Sequence, residues 1–303
     1  MQSRRNLTLK AAAGLLVAMS IYLPAIALAA EKSFDRMLTV NGPVTLHVST
    51  GSGYIHVSSG SDNEAHIIGH VHASHGWMGG NSEDQIKQVV DNPPIQQSGD
   101  TIRVGQMHES WFNHVSIDYD ITTPKSTHLK AESGSGDLKA VSMNGGVRLE
   151  TGSGSVNGDD LGGDGYLQTG SGDIRVNFSN GGNVVAATGS GSIKLANVQG
   201  AMKAETGSGS LEISGQPNSP WKLETGSGDI TMQVSGNAGF TVDAQTGSGD
   251  VKTNHPLTVR GPLNRHHVTG TVNGGGPTIK AETGSGDVRI QWGAQSGTIL
   301  MDE

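Results

Sequence analysis

A pentad of the form Thr/Ser-Gly-Ser-Gly-Asp/Ser recurs along the second half of the chain, and its spacing leaves few folds open. Its first glycines stand at 134, 152, 170, 189, 207, 226, 247 and 284. The steps are 18, 18, 19, 18, 19, 21 and 37 residues. The last step is near two repeats, so one degenerate copy is expected inside it. An outlying copy at Thr50, Gly51, Ser52 and Gly53 comes much earlier.

The columns around the pentad are apolar on alternate residues. Three before the first glycine stand Ala131, Leu149, Leu167, Ala186, Ala204, Leu223, Ala244 and Ala281. Four after it stand Leu138, Val156, Ile174, Ile193, Leu211, Ile230, Val251 and Val288. A period of two means strand. Each repeat therefore reads as strand, glycine corner, strand and a second, Gly/Asn-rich turn. One such unit cannot bury its apolar face alone, but stacked units can. The residues between form ladders of opposite charge: Lys130, Arg148, Lys203, Lys222 and Lys280, then Glu132, Glu150, Glu205, Glu224 and Glu282 two positions on. The expected fold is all-β, a parallel β-solenoid or β-helix of about 18-residue coils. An irregular N-terminal cap section with one short helix completes it. That helix is expected from Ser82, where an acidic pair follows a capping serine and Pro93 and Pro94 end it.

The domain organisation follows. Residues 1–30 read as an export signal: Arg4, Arg5 and Lys10 precede an uncharged apolar run ending in Ala27, Leu28 and Ala29. Residues 31–124 read as N-terminal strands and cap section, and 125–303 as the regular solenoid. Setting residues 1–30 aside leaves 17 Lys and Arg against 28 Asp and Glu, a formal charge of −11. That balance discourages nucleic-acid binding, which needs basic grooves for phosphate. There is no Cys, so neither a disulfide nor a Cys-based metal site can form.

Four stretches together resemble the bacterial putative-adhesin family of β-strand-repeat domains of unknown function, whose relatives include adhesin head domains. They are the opening at 44–57 with its Gly-Ser-Gly, the entry strand ending Thr122, Thr123 and Pro124, the repeated pentad followed by Ile or Val, and the ending at 274–290. The resemblance implies a β-solenoid outside the cytoplasm, associated with adhesion or the envelope. It carries over no catalytic residues.

Three kinds of chemistry bear on these residues. The column of Asp137, Asp173, Asp229, Asp250 and Asp287 could hold calcium, but Ser155, Ser192 and Ser210 interrupt it. Capping of turn amides is the expected role. His66, His70, His72 and His75 crowd one segment, and His66, His70 and His72 differ by even steps, so they share one strand face. Such imidazoles could bind zinc, copper or nickel, with His47 and His56 near by in sequence. Catalysis has no signature: no G-x-S-x-G elbow is present, and carboxylates come as ladders rather than one cluster. Trp77, Trp111, Phe112 and Tyr119 are expected to pack the cap.

The expectation is an exported, non-enzymatic structural or binding module at the cell envelope, adhesin-like, located in the periplasm, at the cell surface or secreted. It needs no cofactor, keeps no membrane span after signal removal, and meets an unidentified envelope or extracellular partner, protein or polysaccharide. Two alternatives stay open. One is an extracytoplasmic metal-binding protein using residues 66–75. The other is a polysaccharide-active β-helix enzyme.

Overall fold

The computed structural model describes residues 32–73, 82–105, 115–259 and 264–293. The expected export signal, His75, Trp77, Trp111 and Phe112 lie outside the described residues. Within them the chain forms 25 strands and one helix. Each regular coil gives one strand to a 12-stranded sheet and one to a 13-stranded sheet.

Pairing between regular coils is parallel and in register, as the repeat requires. Leu149 lies beside Ala131 on one side and Leu167 on the other. Ile193 lies beside Ile174 and Leu211. Leu149, Leu167, Leu223, Ile174, Ile193 and Ile230 all point inward and are at most 1% exposed. The apolar columns become ladders along one continuous core.

The corner explains the invariant part of the pentad. The leading Thr is buried and ties two coils together. Thr169 Oγ1 donates to the Gly154 carbonyl of the preceding coil at 2.7 Å and accepts from the Gly172 amide at 3.1 Å. Thr151, Thr188 and Thr206 donate in the same way. The second glycine permits the close approach: a Cβ on Gly172 would fall inside the contact shell of the Gly154 carbonyl.

At both ends the spatial order departs from the sequence order. Residues 278–293 do not follow a degenerate coil. They are inserted between two earlier ones. Strand Thr278–Ser285 pairs with Trp221–Ser227 on one side and Phe240–Ser248 on the other, all parallel. Strand Val288–Gly293 lies likewise between Ile230–Ser235 and Val251–Thr253. The stretch read as a degenerate copy runs the other way: His267–Val272 pairs antiparallel with Phe240–Ser248 and with Thr258–Val259. Reversal ends the repeat, because an antiparallel strand cannot start another coil of the same sense. Beside it, Trp292 donates its indole N–H to the Asn254 carbonyl at 3.0 Å, and buried His255 packs on the Trp292 ring at 4.0 Å.

The N-terminal end mirrors this. Strands Thr45–Thr50 and Ile55–Ser59 form a coil of the stack, paired in parallel with His128–Ser133 and Leu138–Val141. Beyond them stand Thr101–Val104 and Val115–Thr123. Antiparallel strands then close both sheets: Glu64–Ala73 and Lys32–Thr39 on one, Ile95–Ser98 on the other. The helix Ser82–Asp91 packs Ile86 and Val89 into this end.

Candidate functional site

The turn carboxylates come first. Asp137 Oδ1 accepts the Ser155 amide at 2.7 Å, and Asp173 Oδ1 accepts the Ser192 amide at 2.8 Å. Asp229 and Asp287 do the same for the amides of Asp287 and Asp250. Ser192 and Ser210 hydroxyls fill the role more loosely, at 3.3 and 3.4 Å. Each side chain thus caps the equivalent residue one coil away, which is why Asp and Ser interchange. In Asp173, Asp229 and Asp287 the other carboxylate oxygen meets a cation: Arg175 on Asp173, Arg289 on Asp229 and Asp287, Lys252 on Asp287. Oxygens so engaged are poor calcium ligands. Millimolar calcium is expected to leave the melting temperature where magnesium at equal ionic strength leaves it; a rise of many degrees with calcium alone would contradict the capping role.

Five carboxyls are held below their ordinary range: Glu132 by Lys130, Asp160 by Lys125, Glu224 by Lys222, Asp229 by Arg289, and Asp287 by the Asp250 amide. A carboxyl with a lowered folded pKa contributes stability that is present above its unfolded value, about 4, and lost as pH falls through the folded value. These groups therefore leave thermal stability level above pH about 5 and erode it below pH about 4. Melts across pH 2–8 test this; erosion starting near pH 6 would contradict it.

The histidines lie on the outer face of the 12-stranded sheet. His66, His70 and His72 point outward from Glu64–Ala73, as their even spacing implies. They do not meet one another. Each meets a carboxylate from another strand: His66 Nε2 to Asp35 at 2.7 Å, His70 Nε2 to Asp120 at 3.4 Å and His72 Nδ1 to Asp118 at 4.0 Å. His56 reaches Asp120 from the opposite side at 3.5 Å, and the Tyr54 hydroxyl donates to Asp120 at 2.9 Å. His47 belongs elsewhere, on the other sheet, where burial and then Arg103 and Lys130 push its pKa down. Among the described residues, no three potential ligands are already gathered as a metal would require. Sequence reasoning missed Asp35, Asp118 and Asp120. The alternation of Asp118 and Asp120 in Val115–Thr123 was visible, but not which strand they would face, and Asp35 stands on another strand, Lys32–Thr39.

The outer face of the 13-stranded sheet carries the charge ladders. On each strand the cation pairs with the carboxylate two residues on: Lys130 with Glu132 at 2.8 Å, Lys203 with Glu205 and Lys222 with Glu224 at 2.7 Å, and Lys280 with Glu282 at 2.8 Å. Arg148 and Glu150 pair likewise. The ladders lapse on Thr45–Thr50, with His47 and Ser49, and on Phe240–Ser248, with Asp243 and Gln245, but only two neighbouring coils place neither a charge nor a histidine at the two positions. There the pairs are replaced by Tyr166 with Gln168, and by Val185 with Ala187. Arg148 lies over the Tyr166 ring at 3.9 Å, and the Tyr166 hydroxyl donates to Gln168 at 2.8 Å. Val185 is 37% exposed, one of few large apolar side chains left open. Two shallow grooves run along the edge of this face, over the glycines. One, of about 700 Å³, extends from Ala187 past Glu205 and Glu224 to Glu282. The other, of about 270 Å³, extends from Glu132 past Glu150 to Gln168.

A family model described as Toastrack DUF4097 matches residues 83–291. Among solved structures, the chain is similar to a putative cell adhesion protein from Clostridium sporogenes, with 14% identity over 86% of this chain and 99% of that one, at a TM-score of 0.27. It is similar to a putative adhesin from Bacteroides fragilis, with 16% identity over 87% and 98%, at 0.45. A putative adhesin from Parabacteroides distasonis shows 12% identity over 86% and 98%, at 0.36. No curated protein matches the chain.

Proposed function

The chain belongs to the Toastrack DUF4097 family, and from that premise we propose that it is an exported, non-enzymatic, adhesin-like binding module of the cell envelope. The observation that carries this reading is the outer face of the 13-stranded sheet. It is long and regular, and its ladder charges are paired off within each strand. A solenoid face of this kind suits an extended partner. Hydrolysis of a glycan needs one carboxylate pair with divided acid and base roles. Here carboxylates repeat coil after coil, each tied to a cation or an amide. The export signal at 1–30 and its removal are part of the same reading.

The test is binding of fluorescently labelled residues 31–303 to intact cells and to isolated envelopes. Saturable binding to envelopes, competed by unlabelled protein, supports the reading. Equal partition between envelope and cytosolic fractions overturns it.

A second reading, an extracytoplasmic metal-binding protein, is favoured by one observation. Asp120 stands between His56 and His70 at 3.5 and 3.4 Å. Those separations are long for hydrogen bonds but close to the spacing of two ligands on one tetrahedral ion. On this reading zinc binds, and His56→Ala and His70→Ala each abolish it while His66→Ala does not. Calorimetric titration with zinc decides; no heat above the dilution blank excludes it.

A further inference from the structure

We infer that the uncharged window in the ladders of the 13-stranded sheet is a binding site for a neutral glycan chain lying along the stack axis. This rests on the reading of the protein as a binding module and names the class of its ligand.

The first ground is where the repeat breaks. Five coils place a Lys or Arg and a Glu at the two outward positions. Of the coils that do not, two keep His47 or Asp243 there, and the other two are adjacent, in register, and carry no charge or histidine at either position. A stack that needed only a solvated surface would keep a charge there too, because an exposed Val beside a half-buried Tyr gains nothing in water. The second ground is position. The window lies where the two grooves approach each other, since Gln168 ends one and Ala187 begins the other. Together they form a track crossed by coils about 4.8 Å apart, a spacing comparable to one hexose of an extended chain.

The third ground is charge. A polyanion laid on this track would meet the Glu column, and a polycation would meet the Lys column. Each ladder charge is already neutralised on its own strand, so neither sign is in excess. What remains on offer is a row of carboxylate acceptors beside a row of ammonium donors, with the Tyr166 hydroxyl and the Gln168 amide between them. A glycan hydroxyl is both donor and acceptor and suits that alternation. Val185 and Ala187 provide apolar contact for the C–H face of a sugar ring.

The test repairs the ladder. The quadruple variant Tyr166→Lys, Gln168→Glu, Val185→Lys and Ala187→Glu adds two charges of each sign and leaves the net charge unchanged. It extends a pattern the neighbouring coils already fold with, so its melting temperature should match the parent. Val185→Lys with Ala187→Glu is the smaller second variant. The probes are hexamers of β-1,4-glucose and β-1,4-N-acetylglucosamine, with oligogalacturonate and oligolysine as charged counterparts, titrated by calorimetry or NMR.

A neutral hexamer should bind the parent and bind both variants about tenfold more weakly or worse. Binding of a neutral hexamer that both variants retain overturns the site. Binding of only a charged probe or a peptide overturns the ligand class. If envelopes bind the protein but no neutral hexamer does, the inference falls and the binding-module reading stands. If neither binds, both fall.

Discussion

Replacing Ile193 with Asp should cost about 3–5 kcal/mol, because it leaves a charge without a partner in the core. Ile193 is fully buried and stands between Ile174 and Leu211 of the neighbouring coils. The Asp side chain would find apolar neighbours on both sides, with no amide or cation in its column. For a domain of this size the loss corresponds to roughly 10 °C or more in melting temperature. The next residue gives the contrast. Lys194 points outward and pairs with Glu212 at 3.0 Å with both side chains well exposed. Lys194→Gln should cost under about 0.5 kcal/mol. Thermal and urea melts of the two variants check the pair. Similar losses would contradict the inward and outward assignment on which the core ladders depend.

Gly172→Ala should be nearly as damaging for a different reason. The added methyl would collide with backbone, the Gly154 carbonyl and the Ser155 amide nitrogen, and neither can rotate away. The coils must part locally, and that strains the Thr169 bridge between the same two turns. Overpacking of this sort costs about 3 kcal/mol. Gly51 occupies the first glycine position of the outlying copy, and a Cβ there meets nothing within 4 Å. Gly51→Ala should therefore be close to neutral, within about 0.5 kcal/mol. Both variants carry the same chemical change, so the difference in their melts isolates coil spacing from glycine flexibility. Equal effects would mean that the corner glycines are selected for backbone freedom alone.

The middle of the stack was legible because two periods agree there. Eighteen-residue spacing fixed which residues become neighbours, and alternation fixed which of them point inward. Leu149, Leu167 and Ile193 follow from those two facts. The ends were not legible for a physical reason. Any coil with a Thr-Gly-Ser-Gly corner can dock on any other, so spacing along the chain does not determine order in space. Residues 278–293 fit between two earlier coils as well as they would fit after them. His267–Val272 buries Val268 and Val272 on alternate positions like every other strand, and alternation carries no information about direction. The histidine face shows the same limit. Even spacing placed His66, His70 and His72 together on one side, but Asp35 and Asp120 reach them through strand pairings set by the cap. The window was visible as two successive uncharged positions, 166 and 185, in a column whose other departures from Lys or Arg are His47 and Asp243. Its position between two grooves needed the register.

The coils form a ruler-like parallel stack in register, with residues 278–293 inserted one place before the end. Spin labels on cysteines placed in the outward Lys column test it directly, since the chain has no Cys of its own. Lys130 and Lys222 are five strand steps apart and Lys130 and Lys280 six, so pulsed EPR should give about 24 and about 29 Å at 4.8 Å per step. Stacking in sequence order, with a degenerate coil before residue 278, would place Lys280 eight steps away and give about 38 Å for that pair; a distance there would contradict the account.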